Sequence, residues 1–246
     1  MANNNNYVIE TTDLTKRFGG LVAVNKVSMK VKEGEIMGLI GPNGAGKTTL
    51  LNALAGLNNA TSGTVHFLGK ETTTCSPEEM CHRGLSRTFQ IPIPFPKLSV
   101  LDNVMVAAVF GNDPKLKDPV KYAREQLSFV EFELPEDTLS EKLNTVQLKR
   151  LDLARALASK PKVMLLDELA SGLTERELEP LMNIILKIRD KGITILMVEH
   201  IMQVIMGLCQ TLAVISFGNK IAEGPIKEVA QDPKVIEAYL GVEDED

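Results

Sequence analysis

Residues 41–48 read Gly41-Pro42-Asn43-Gly44-Ala45-Gly46-Lys47-Thr48 and fit the pattern G-x-x-x-x-G-K-[ST] in full. Their setting restricts the fold as much as their identity does. The apolar stretch Ile36–Ile40 comes before them and predicts a strand, and the run from Gly46 to Leu57 predicts a helix. Such a loop turns backbone N–H groups inward around an anion, because glycine adopts conformations that a side chain forbids. The helix N-terminus adds donors and partial positive charge. Lys47 is expected to place its ammonium against the β and γ phosphates of a nucleotide, and the Thr48 hydroxyl to serve as a Mg²⁺ ligand. The motif predicts a nucleoside-triphosphate site on an α/β sheet. It leaves open which nucleotide, and to what end.

The rest of the chain reads the same way. Strands are expected at Tyr7–Thr12, Val22–Val31 and Glu35–Ile40, with turns at Gly19-Gly20 and Glu33-Gly34, and again near Thr64–Leu68. Ser76-Pro77-Glu78-Glu79 reads as a helix start. From about Ile91 the character changes: Pro92, Pro94 and Pro96 alternate, and helix-like segments Val100–Phe110 and Pro119–Phe132 follow. A helical subdomain of about residues 91–160, inserted in an α/β core, is expected. Helix and strand then alternate through Gln147–Ser159, Lys162–Leu166, Glu175–Lys191, Ile193–Val198 and His200–Cys209. A hairpin is expected at Leu212–Ala222 with Gly218-Asn219 as its turn. Alternation of this kind implies a mostly parallel sheet covered by helices.

Composition removes other classes. Lys+Arg 27 against Asp+Glu 32 leaves no generally basic surface, so a nucleic-acid partner is not expected. Glu243, Asp244, Glu245 and Asp246 hold four of the five excess negative charges, so the acidity belongs to a tail. The longest strictly apolar run, Val104–Phe110, is far short of the roughly 18 residues that span a bilayer. Cys75, Cys81 and Cys209 are odd in number and irregularly spaced, which argues for reduced thiols in a cytoplasmic protein. Residues 1–6 and 242–246 are expected to be flexible termini around one domain, 7–241.

A second set of residues complements the loop. Val163-Met164-Leu165-Leu166 ends in Asp167-Glu168, and a buried strand that emits carboxylates at its C-terminal end puts them where ligands bind in open α/β sheets. Asp167 is expected to hold Mg²⁺, and Glu168 to polarise the attacking water and take its proton. Gln90 follows the strand-like Leu85–Phe89 and has a side-chain carbonyl able to reach Mg²⁺ or that water. His200 follows Ile193–Val198 and is placed to bond a γ-phosphate. Phe18, in Lys16-Arg17-Phe18-Gly19-Gly20, is either an exposed aromatic able to stack on a base or an ordinary core residue.

The complete loop, Gln90, Asp167-Glu168 and His200 occur in one order over nearly the whole chain, and this resembles the ATP-binding subunit of ABC transporters. The segments KRFGGLVAV, GLIGPNGAGKTTLLNALAG, GLSRTFQIP, LDLARALASKP, GITILMVEH and IAEGPIKEV…DPKVIEAYLG are similar to the branched-chain amino-acid (Liv-type) importer ATPases, and related importers of urea and small amides share much of that ending. The resemblance implies an ATPase of P-loop NTPase fold: a core sheet, an N-terminal antiparallel subdomain and an inserted helical subdomain. It implies ATP and Mg²⁺, with Phe18 stacked on adenine, Ala23 against the nucleoside, and Asn43 to Thr49 on the phosphates. Gln90 would begin the loop that senses the membrane partner, and His200 would be the switch histidine. The implied partners are membrane permease subunits, a second ATP-binding subunit in a homo- or heterodimer, and indirectly a solute-binding protein. The implied location is the cytoplasmic face of the membrane. A soluble ATP-dependent regulator, or the ATPase of an exporter or lipid transporter, stays open on the same cassette.

The chain departs from the family pattern at its signature. LSGGQ is expected just before the helix at Gln147, but the residues are Leu143-Asn144-Thr145-Val146-Gln147. Both glycines are missing, Asn144 replaces the serine that bonds the partner's γ-phosphate, and Val146 would crowd close approach to phosphate. Leu169 and Thr174 also replace the usual proline and the usual Asp or Asn. One reading is an asymmetric heterodimer in which the site facing Asn144–Gln147 turns over slowly. The other is a subfamily variant in which Asn144 and the backbone at Thr145 still serve.

Overall fold

The computed structural model describes residues 6–240. The expected domain end at Gly241, the termini 1–5 and 242–246, and the acidic tail lie outside the described residues. In chain order the elements are β1 (Tyr7–Phe18), β2 (Leu21–Lys32), β3 (Ile36–Ile40), α1 (Lys47–Leu54), β4 (Ser62–Phe67), β5 (Lys70–Glu71), α2 (Pro77–Arg83) and β6 (Leu85–Arg87). They continue with α3 (Val100–Val109), α4 (Pro119–Phe129), α5 (Thr145–Ala158), β7 (Val163–Asp167), α6 (Glu175–Asp190) and β8 (Thr194–Val198). The chain closes with α7 (Met202–Leu208), β9 (Thr211–Ser216), β10 (Asn219–Pro225), α8 (Ile226–Val229) and α9 (Pro233–Leu240). The architecture is α/β. Two compact units emerge, one of residues 6–77 with 194–240 and one of residues 78–193.

In the first unit β1 and β2 form a long antiparallel hairpin, and β4 and β5 extend it in the order β2-β1-β4-β5. Phe18 pairs with Leu21, so Gly19-Gly20 is the turn, as its composition predicts. The second sheet of this unit runs β10-β9-β3-β8. Here β3 pairs in parallel with both β8 and β9, and β10 is antiparallel to β9. All five residues of β3 and of β8 are buried, as continuous apolar runs in a parallel sheet require. The helix after the loop stops at Leu54 rather than Leu57. Gly56 takes φ +73° there and lies so close to the Cys75 carbonyl that a Cβ would fall 2.3 Å from its oxygen. The β9–β10 turn falls one residue earlier than expected. Ser216 pairs with Asn219, leaving Phe217 (φ +45°) and Gly218 (φ +77°) as the two left-handed turn residues that a tight hairpin needs.

In the second unit β6 and β7 pair in parallel, Arg87 opposite Leu165. Helices α3, α4 and α5 pack on one another. Each starts at a side-chain cap: Ser99 accepts from Asp102 N–H, Asp118 from Lys121 N–H, and Asn144 from Gln147 N–H. Fully buried Asn103 of α3 ties the proline segment down, accepting from Phe95 N–H (2.8 Å) and donating to the carbonyls of Phe95, Leu98 and Ser99. The three cysteines are unbridged. Among the described residues, no helix is long and apolar enough to cross a membrane.

Candidate nucleotide site

The phosphate loop is set by contacts that reach it from distant strands of its own unit. A Cβ at Gly41 would lie 1.9 Å from the Ile215 carbonyl oxygen, and one at Gly46 2.2 Å from that of Ala23. Gly46 also takes φ +104°. Gly44, at φ +75°, has nothing near its missing side chain and faces open space. The hairpin turn supports the loop from behind: Gly218 N–H donates to Ala45 O (2.9 Å), and Asn25 N–H donates to Gly218 O (2.8 Å). Lys47 is buried, its ammonium donating to the Gly41 and Pro42 carbonyls at 2.7 and 2.8 Å. Asn43 and Thr48 are exposed, and Pro42 and Thr49 half-buried, at the open side of this cradle. Replacing Gly46 by alanine is expected to cost about 1–3 kcal/mol in overpacking, with strain at its positive φ added. A urea titration together with equilibrium ATP binding checks this, and both should fall together.

Phe18 is 47 % exposed at the β1–β2 hairpin, with Lys16 Nζ 5.1 Å from its ring centre, so it is not a core residue. Ala23 is half-buried on β2 beside the loop. His200 is exposed and lies between β8 and α7. The helix expected to begin there starts at Met202, leaving His200 on the connection.

The second unit gathers the carboxylates. β7 ends at Asp167, which is 3 % exposed and bonded to Arg87 Nη2 of β6 at 2.7 Å through Oδ2. Its other oxygen, Oδ1, is buried with no hydrogen-bond partner. A buried anionic oxygen left over in this way suits a hard divalent cation. Among the described residues no cluster of three or more His, Cys, Asp or Glu is present. Glu168 follows with φ +47°, an uncommon conformation for this residue, and Gln90 Nε2 donates to its carboxylate. Lys149 Nζ donates to the Glu168 carbonyl at 3.3 Å.

At the irregular signature, α5 begins at Thr145, two residues before the expected start at Gln147. The reason is a reciprocal capping box: Asn144 Oδ1 accepts from Gln147 N–H, and Gln147 Oε1 accepts from Asn144 N–H, both at 3.0 Å. Thr145 and Val146 thus stand in the first helical turn, and the box leaves the Asn144 side-chain NH₂ outside it.

A family model described as ABC transporter matches residues 24–171. The chain belongs to the ABC transporter family of ATP-binding proteins. A probable branched-chain amino acid transport ATP-binding protein of Methanocaldococcus jannaschii is 33% identical over 95% of this cassette and 97% of its own length. The high-affinity branched-chain amino acid transport ATP-binding protein of Pseudomonas aeruginosa is 34% identical over 95% and 98%. The crystal structure of an ABC-transporter cassette in its ADP conformation superposes with a TM-score of 0.87 at 33% identity, covering 96% of this chain and 99% of that one. A dimeric cassette with ADP and Pi bound, in a post-hydrolysis state, gives 0.81 at 26% identity over 89% and 98%. A second model, for branched-chain amino acid ATP-binding cassette transporters, matches residues 219–245. The cassette is a nucleotide-binding ATPase that energises transport.

Three residues of the cassette's α5 escaped the sequence reading: Lys149, Asp152 and Arg155. Charges spaced three apart on a helix look like a solvated face, yet Lys149 and Asp152 are buried. Arg87 escaped too, because one arginine in a short strand gives no sign of a partner 80 residues on.

Proposed function

We propose that this cassette pairs with a second ATP-binding subunit beneath membrane permease subunits, on the cytoplasmic face, and drives import of branched-chain amino acids or a related small polar solute delivered by a solute-binding protein. The observation that carries the solute class is the match of residues 219–245 to the branched-chain model. In this reading Lys47 and the N–H groups of Asn43 to Thr49 bind the phosphates, Phe18 stacks on adenine, and Ala23 packs against the nucleoside. Thr48, Asp167 and Gln90 would hold Mg²⁺, which would supply positive charge against the phosphates. Glu168 takes a proton from the attacking water, Gln90 orients that water, and His200 bonds the γ-phosphate.

The test is affinity purification of the full chain from solubilised membranes, with identification of what comes with it and reconstitution in vesicles with the matching solute-binding protein. ATP-dependent uptake of leucine, isoleucine or valine is the expected result. Uptake of urea or amides alone would move the solute within the class. A purely soluble complex, or outward transport, would sink the importer reading.

A further inference from the structure

Lys149, Asp152 and Arg155 recur every third residue along α5. Lys149 is 3 % and Asp152 5 % exposed. Burying such groups costs free energy, and apolar residues of the same size would often serve stability as well or better. Their partners are what distinguish them. Lys149 Nζ donates to Glu168 O at 3.3 Å. Asp152 Oδ2 accepts from Phe89 N–H at 3.3 Å. Arg155 Nη1 donates to Ile93 O at 3.2 Å and to Asp152 Oδ1 at 3.3 Å, and its guanidinium lies 5.8 Å from the Phe95 ring centre. Gln90 sits between the two gripped backbone points, Phe89 and Ile93, and bonds Glu168 through its side chain. One helix face therefore holds the backbone on both sides of the Gln90–Glu168 bond. Burial pushes the Asp152 carboxyl up to about 6, against the opposing pull of Arg155, the Phe89 N–H and Lys149.

We propose that Lys149, Asp152 and Arg155 are positioning residues for hydrolysis, fixing Gln90 and Glu168 to α5. The same clamp makes α5, from its capped start at Asn144–Gln147, and the 89–95 segment one mechanical piece. That segment carries Ile91 and Ile93, both nearly three-quarters exposed, so any shift of α5 also moves the apolar side chains it shows to solvent. The inference rests on the roles given above to Gln90 and Glu168.

The test uses the full chain with its copurifying partners. Arg155→Met and Asp152→Asn should lower kcat for MgATP about tenfold with KM unchanged, and speed amide exchange at residues 89–95 about tenfold, the worth of one charge-assisted hydrogen bond. Arg155→Lys keeps a charge and a donor and should recover most of both; it also guards against a folding defect. Unchanged exchange in both variants overturns the clamp. Faster exchange with unchanged kcat overturns the positioning role. A wild type that hydrolyses no ATP overturns the reading of Gln90 and Glu168 and the positioning role with it, while exchange in the nucleotide-free chain still decides the clamp.

Discussion

Glu168→Gln lowers kcat for ATP hydrolysis by about 10²–10⁴, the range supplied by a positioned general base, and leaves ATP binding intact. Glutamine has the same shape and still offers an oxygen to Gln90 Nε2, so the local hydrogen bond survives while the proton acceptor is lost. The left-handed backbone at Glu168 and the Lys149 bond to its carbonyl do not depend on the carboxylate, so the side chain should stay in place. Phosphate release measured beside equilibrium ATP binding gives both halves of the result. In the purified pair, the same variant tests the asymmetric reading of the signature. Near-complete loss of activity means that the loop of this chain serves the working site. No loss here, with loss when the partner's matching acid is changed, would reverse the assignment.

Arg87→Met is expected to cost about 3–5 kcal/mol of stability, because it leaves Asp167 buried without its counter-charge. Both side chains are almost wholly enclosed, 6% and 4% exposed, so water cannot take over the role of the guanidinium. A shift in the urea midpoint at constant slope measures the loss. Arg87→Met combined with Asp167→Leu should recover most of it, since the apolar pair carries no desolvation cost. If Arg87→Met alone were neutral, the pair would contribute little to the fold.

What could be read in the sequence follows from the range of the forces involved. The phosphate loop, the Asp167-Glu168 strand end and the Gly19-Gly20 hairpin are each announced by a pattern a few residues long, and each stands where its residues predict, although distant strands hold the loop in place. The start of α5 was misjudged because Asn144 and Gln147 cap each other, a local signal hidden behind the departure from LSGGQ. The β9–β10 turn slipped because an aromatic such as Phe217 is a poor guess for a left-handed position, and here the bonds of Gly218 to Ala45 and Asn25 dictate the register. The polar stripe of α5 was illegible for another reason. Its partners are backbone groups of other elements, and backbone groups leave no mark in a sequence. Helices α8 and α9 went unread, since α8 is only four residues long and α9 lies against the C-terminal boundary.

The props behind the phosphate loop have a consequence for the making of the protein. Gly41 rests against Ile215, and Ala45 is held by Gly218, partners that leave the ribosome about 170 residues later. At roughly 5–20 residues per second the cradle stays incomplete for about 10–35 s after its own residues are synthesised. The nascent chain therefore has no finished place for a nucleotide until Gly218 has emerged, and ATP can stabilise the loop only from that point on.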